Sequence, residues 1–403
     1  MKPKRLVSIA VLMIALAGSC ATQSTLSGLR AACVGPLDQK NPDTHQAVLQ
    51  HALDKAGPGS VITVAPGTYA MSDPKGLRVY QGMTLILTGA TFIWSSDVSE
   101  DGQTFLVEDA SNVSIEGGRI IGMRSQWDPG VNIAGVRAMG ESHDLTIRGL
   151  HCEDLSSNAV GVFGASDENP IRSVRIQEVT ARNCCNFYGD YLSTDRGPAK
   201  GSVREDQGGV AFYFVSNWQV DGCRFERSQS DGTHFYHAHN GQFVNSTVTL
   251  SQMGGYFLEG CEDVVAIGNR FHSNGSRGVT IERDSRRCIL ANNLIAESGR
   301  EGLWAPDAEQ LVVSQNVFKE NGIKDDAEKD CHIRIEDTNE YATVPTGVRI
   351  DGNLFITAEH QTAAIWAGSG VREVKVNANS FIGEGLPLKL ADNARVDVSP
   401  SNG

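Results

Sequence analysis

From Trp218 to Asn379 one short phrase returns at nearly constant intervals: a strand-like run, a polar or glycine residue, Asn or another small residue, any residue, then a large apolar one. It reads VDGCRF around Cys223, VNSTV around Ser246, IGNRF around Asn269, ANNLI around Asn293, SQNVF around Asn316, DGNLF around Asn353 and NANSF around Asn379. The steps between these positions are 23, 23, 24, 23, 37 and 26 residues. A period of about 20 to 50 residues marks a chain of stacked units, none of which buries its own apolar face alone.

Each unit carries two or three short apolar/polar alternations bounded by Gly, Asn, Asp or Ser, so the units are strands and turns, not helices. A coil of about 23 residues has room for three strands and three turns. Stacked at about 4.8 Å, each strand pairs with its successor, and the expected fold class is all-β, a parallel β-helix. The recurring Asn tolerates the left-handed conformation of a tight turn, and its amide can bond the amide one coil away. Asn269, Asn293 and Asn316 are expected to form such a ladder. IEGGRII, LTIRGLH and VRIQEVT, earlier in the chain, repeat the phrase more faintly.

Composition agrees with one long domain. Apolar residues make up 40% and charged residues 21% of the 403, and Pro, at 13, is scarce; that excludes a collagen-like or Pro-rich disordered chain. Lys and Arg total 35 against 48 Asp and Glu, a net charge of −13, which argues against a nucleic-acid partner.

Lys2, Lys4 and Arg5 precede an apolar run from Leu6 to Ala17, the pattern of an export signal. Ala17-Gly18-Ser19-Cys20 resembles the bacterial lipoprotein box, which implies a lipid on Cys20 and an envelope protein of the periplasm or outer membrane, touching the membrane through that lipid only. Cleavage after Ala21 would instead release a secreted protein. The expected organisation is a signal peptide over 1–19, a linker over 20–44 and a single β-helix domain over 45–403, monomeric. The other eight cysteines, at 33, 152, 184, 185, 223, 261, 288 and 331, form no zinc-type pair and read as buried thiols.

Stacked coils with an Asn ladder resemble the right-handed parallel β-helices of the pectate-lyase-like superfamily, over roughly residues 60 to 385. The run HQAVLQHALDKAG at 45 to 57, followed by GSVITVAPGTY, is similar to the N-terminal cap of many polysaccharide-active β-helices. The resemblance implies a polysaccharide partner. The sequence lacks the Asn-Thr-Asp, Gly-His-Gly and Arg-Ile-Lys set of polygalacturonases and the Asp-Pro-His-Asp of mannuronan epimerases, which disfavours those two activities.

One strand per coil starts just after a glycine: GVAFYF, GTHFYH, GYFLEG, GVTIER and GLWAPD, with HIRIED as the counterpart that lacks the glycine. Alternation turns Val279, Ile281 and their equivalents inward and leaves two outward columns. The first is Ala211, His234, Phe257, Thr280, Trp304 and Arg334; the second is Tyr213, Tyr236, Glu259, Glu282, Pro306 and Glu336. Aromatic and acidic side chains on one face suit a sugar polymer, with Tyr213, Tyr236, Phe257, Arg283, Trp304 and Arg334 as candidate substrate-binding residues. The insertion from Asn186 to Gln207 is expected to wall this face or cover its aromatics.

Glu259 and Glu282 share a register in neighbouring coils, so their charges should drive their proton affinities apart and give one acid and one base. Glu282 and Asp284, two residues apart on one strand, sit at about the spacing of an inverting glycosidase pair, while the stacked Glu259 and Glu282 are nearer that of a retaining pair. Ile281-Glu282-Arg283-Asp284 also resembles the catalytic strand of iota-carrageenases, which implies Glu282 as proton donor and Asp284 as base. His234 with Tyr236 offers the base of a lyase acting on a uronate polymer; His237 and His239 read as structural. No metal site is assigned and no cofactor is required, although Asp231, Glu259, Glu282 and Asp284 offer oxygens for Ca²⁺. The expected function is polysaccharide hydrolysis by Glu282, with Asp284 or Glu259 as partner and His234 beside them. The alternatives are a polysaccharide lyase and a non-catalytic carbohydrate-binding surface protein.

Overall fold

The computed structural model describes residues 25–26, 29–128, 130–186, 207–324, 330–341 and 343–399. Cys20 and the insertion residues Tyr188, Asp190, Tyr191, Asp195, Arg196, Lys200 and Arg204 lie outside the described residues. Twelve short strands, from Gly67–Met71 to Ser380–Gly383, stack in parallel as one face of a solenoid. The other two faces share one sheet, because Val210–Asp221 and Thr233–Val244 each run unbroken around the corner between them. The corner falls at Phe214 and His237, both left-handed, with φ of 52° and 47°.

Inward side chains of successive coils stack into a continuous apolar column. Phe318, Phe355 and Phe381 lie face to face at 5.1 and 5.2 Å between ring centres, and burial of each such ring is worth roughly 1.5–3 kcal/mol. The helix His45–Ala56 caps the N-terminal end with Leu49 and Leu53. Beside it Leu29–Val34 pairs in parallel with Ser60–Val64, so residues placed in the 20–44 linker form a rung of the sheet. At the other end, Leu386–Leu390 and Val396–Val398 add a further coil, and Leu386 and Val398 stay exposed. Among the described residues no disulfide joins the eight cysteines to one another, and all but Cys33 are buried.

The asparagine ladder runs further than three rungs. Asn269, Asn293, Asn316 and Asn353 each donate Nδ2–H to the Oδ1 of the next recurring asparagine, ending on Asn379, at 3.0 Å. Each of those oxygens also accepts the backbone N–H of the preceding rung at 2.8–2.9 Å. The left-handed residue of the turn is not the ladder asparagine, as the sequence suggested, but the one before it: Gly268, Asn292, Gln315 and Gly352 have φ between 54° and 72°. Separating the two roles leaves the ladder side chain free to point inward.

Candidate active site

The register of the glycine-led strands brings both outward columns onto one face. Ala211 pairs with His234, Tyr213 with Tyr236, Tyr236 with Glu259 and Glu259 with Glu282; Thr280, Trp304, Arg334 and Trp366 follow in the first column. A cavity of about 250 Å³ opens beside this face, and Asp231, Phe257, Arg277, Glu282, Trp304 and Tyr341 help to line it.

Pointing away from the core does not mean lying open. His234 is 1% exposed, Tyr213 4% and Glu259 5%, and none of the three reaches the cavity. They form a buried relay instead: Tyr213 Oη lies 2.7 Å from His234 Nδ1, and Glu259 Oε2 lies 3.2 Å from Nε2. A carboxylate only accepts, so Nε2–H donates to Glu259, and in the neutral ring Nδ1 accepts from the Tyr213 hydroxyl. Phe257 stacks on the imidazole at 4.6 Å. Tyr236, half-buried against Tyr213 and Phe214, also lies off the cavity.

Arg283 ties the relay to the cavity by bonding Glu259 and placing Nε 3.1 Å from Glu282 Oε1. The two glutamates consequently diverge. Burial alone would raise Glu259, but the hydrogen bond from His234 and the charge and hydrogen bond of Arg283 outweigh it and keep that carboxyl below its ordinary value. Burial pushes Glu282 up to about 7, with the charges of Glu259 and Asp231 adding and those of Arg283 and Arg277 opposing. A carboxyl that stays protonated to neutrality, beside one that stays ionised, is the division an acid–base site requires.

The strand ends at Glu282, so Asp284 is not its neighbour two residues along an extended chain. Arg283 and Asp284 are both left-handed, with φ of 54° and 65°, and the chain turns away. Asp284 Oδ1 accepts the N–H of Thr343 at 3.2 Å and lies 2.7 Å from its hydroxyl, outside the cavity lining. The spacing argument and the carrageenase-like role for Asp284 therefore find no support in this geometry. Arg334 serves the scaffold: only 12% of its side chain is exposed, and it pairs with Glu301 and Glu336 while covering Trp366 at 4.0 Å.

Several residues that matter were missed. Arg277 lies over Trp304 at 3.7 Å and pairs with the fully buried Glu301, while Trp304 Nε1–H donates to Glu336 at 2.9 Å, so the indole is fixed by face and edge. The signal was present: Asp231, Gly254, Arg277 and Glu301 each stand immediately before the glycine that opens a strand, a third column at the same period. Tyr341 comes from the long 37-residue step, whose surplus over 23 marks an insertion.

The acids proposed for Ca²⁺ do not converge. Among the described residues the one group of three side chains with donor atoms close enough to share an ion is Asp167, His237 and His239. His239 Nδ1 there accepts the N–H of Glu262 at 3.1 Å, so its Nε2 carries the proton and donates to Asp167 Oδ1 at 2.9 Å. A nitrogen in that state has no lone pair for a metal. The trio is a hydrogen-bonded clamp between the 164–170 turn and the corner strand.

The stacked parallel coils define the class: this chain is a right-handed parallel β-helix protein. Residues 208–381 match the family model described as the right handed beta helix region. Solved structures of like fold include the A-module of the mannuronan C-5 epimerase AlgE4 of Azotobacter vinelandii, 14% identical over 88% of this chain and 96% of that one, TM-score 0.66. The surface adhesin PfbA of Streptococcus pneumoniae is 12% identical over 86% and 95%, TM-score 0.62. Tailspike protein 3 of bacteriophage CBA120 is 13% identical over 89% of this chain and 59% of that one, TM-score 0.58. No curated protein matches the chain. At such identities the likeness is one of fold, shared by carbohydrate-modifying enzymes and an adhesin alike.

Proposed function

We propose that this protein hydrolyses glycosidic bonds of a polysaccharide laid across the face that carries Glu282. The observation that carries the reading is the divergence of two stacked glutamates, with the protonated member lining the cavity. Glu282 gives its proton to the leaving glycosidic oxygen as the C–O bond breaks. Water adds to the anomeric carbon and loses its proton to Asp231, another carboxylate on the cavity wall. Glu259 stays ionised behind them, holding Arg283 in place and favouring the proton on Glu282. Trp304 and Phe257 offer flat apolar surface to sugar rings.

A lyase is the weaker reading of this geometry. Its candidate base Tyr236 has a hydroxyl raised by burial and by the charge of Glu259, which makes it a poorer base at neutral pH, and His234 is sealed within the relay. Incubation with neutral, sulfated and uronate polysaccharides is expected to release reducing ends without the ultraviolet absorbance of an unsaturated uronate. Absorbance rising with chain cleavage would establish elimination instead. Binding with no new ends would establish a carbohydrate-binding surface protein.

The export signal and Cys20 support a lipid-anchored envelope location. Cys20→Ser is expected to move the protein from the membrane to the soluble fraction when a bacterial host exports it; an unchanged membrane fraction would remove the anchor.

A further inference from the structure

The cavity has a wall that the repeat does not build. Between the strand Cys331–Glu336 and the next ladder rung, the chain leaves the solenoid and carries Thr338 and Tyr341 to the cavity, where both line it with Arg283 and Trp304. Two aspartates fasten this excursion on either side of Tyr341. Asp307 Oδ1 accepts the N–H of Thr338 at 2.9 Å, and its other oxygen accepts the Thr338 hydroxyl. Asp284 Oδ1 accepts the N–H of Thr343, whose hydroxyl lies between that oxygen, at 2.7 Å, and the Asp307 carbonyl, at 2.5 Å. Asp307 and Asp284 are themselves left-handed, each just past the end of an outward-face strand, so the turn that takes Asp284 away from Glu282 is the same turn that aims it at the excursion.

Tyr341 thereby sits with its ring centre 5.9 Å from the Arg283 guanidinium carbon. Trp304, fixed by Arg277 and Glu336, supplies a second aromatic surface in the same cavity. We infer that Tyr341 is a substrate-binding residue that stacks on the sugar ring presented to Glu282, and that Asp284 is a positioning residue acting through it. The inference rests on the hydrolase reading of the cavity. Two aromatic surfaces from different coils select a ring with apolar C–H faces and fix its tilt relative to the acid. Asp284 contributes the fastening, not the chemistry.

The test compares full-length Tyr341→Ala, Tyr341→Phe, Asp284→Ala and Asp284→Asn on two readouts. One is retardation in native gels cast with polygalacturonate, iota-carrageenan or xyloglucan. The other is kcat and KM for release of reducing ends from whichever of these polymers retards the wild type. Tyr341→Ala is expected to weaken retardation and raise KM about tenfold with little change in kcat, whereas Tyr341→Phe keeps the stacking face and behaves as wild type. Asp284→Ala reproduces the loss, and Asp284→Asn rescues it, because the amide oxygen still accepts from Thr343. The double variant Tyr341→Ala/Asp284→Ala is no weaker than Tyr341→Ala, since both remove one contact.

Unchanged retardation and KM in Tyr341→Ala overturn the inference and leave hydrolysis standing. Additive losses in the double variant overturn the role of Asp284. A wild type that is retarded, loses retardation through Tyr341→Ala and releases no reducing ends keeps the clamp and removes hydrolysis. A wild type retarded by none of the three polymers overturns both.

Discussion

Glu282→Gln is expected to lower the rate of chain cleavage on the order of a thousandfold, the usual worth of a positioned general acid, while the solenoid stays folded. The amide matches the carboxyl in shape and has no proton to give. In the wild type the proton is needed, so cleavage should fall as the pH rises through about 7, where Glu282 ionises.

The same carboxyl makes a second, independent forecast about stability. Its value in the folded protein lies above the ordinary 4.5 of the unfolded chain, so the folded state binds this proton more tightly. Its stabilising contribution is complete below about 4.5 and is lost as the pH climbs through about 7, roughly 3 kcal/mol in all. Gln does not titrate, so Glu282→Gln should gain on the wild type between pH 5 and pH 8 in thermal melts. Parallel melting curves across that range would show that Glu282 is not held protonated, and the proposed acid would go with it.

The second large effect belongs to the scaffold. Asn316 Oδ1 accepts the backbone N–H and the Nδ2–H of Asn293, and its own Nδ2 donates to Leu290 and Asn353. Asn316→Ala strips partners from a buried N–H, a buried amide and a buried carbonyl at once. At about 1–3 kcal/mol for each stranded group, partly relieved by relaxation, the expected cost is about 4 kcal/mol in urea unfolding. A loss below about 1 kcal/mol would mean that the ladder only decorates the turn.

Much of this was legible because a repeat states its own register. The glycine before each strand fixed the alternation, and Glu259 and Glu282 fall opposite each other as that alternation requires. What it could not state was where a strand stops. Nothing in Glu282-Arg283-Asp284 announces two consecutive left-handed non-glycine residues, a costly conformation that only surrounding contacts enforce. Nor does an outward direction reveal what lies above it, and Tyr213 and His234 point away from the core into a second, smaller apolar cluster or its margin. The excursion that delivers Tyr341 was visible as a surplus of length but not as a destination, because its course is set by Asp284 and Asp307, remote in the chain.

The ladder also has a direction. From side chain to side chain, every rung from Asn269 to Asn353 passes one amide hydrogen toward the C-terminal end, while its other hydrogen goes to a backbone carbonyl of the coil before. The row is therefore a head-to-tail line of dipoles along the long axis, in which each bond polarises the next. Such a line can be shortened or extended only by whole units. Excising one complete turn of the coil should rejoin donor to acceptor, whereas a deletion of half a turn would bring amide face to backbone with no mate, so natural variants of this protein should differ in length by entire rungs.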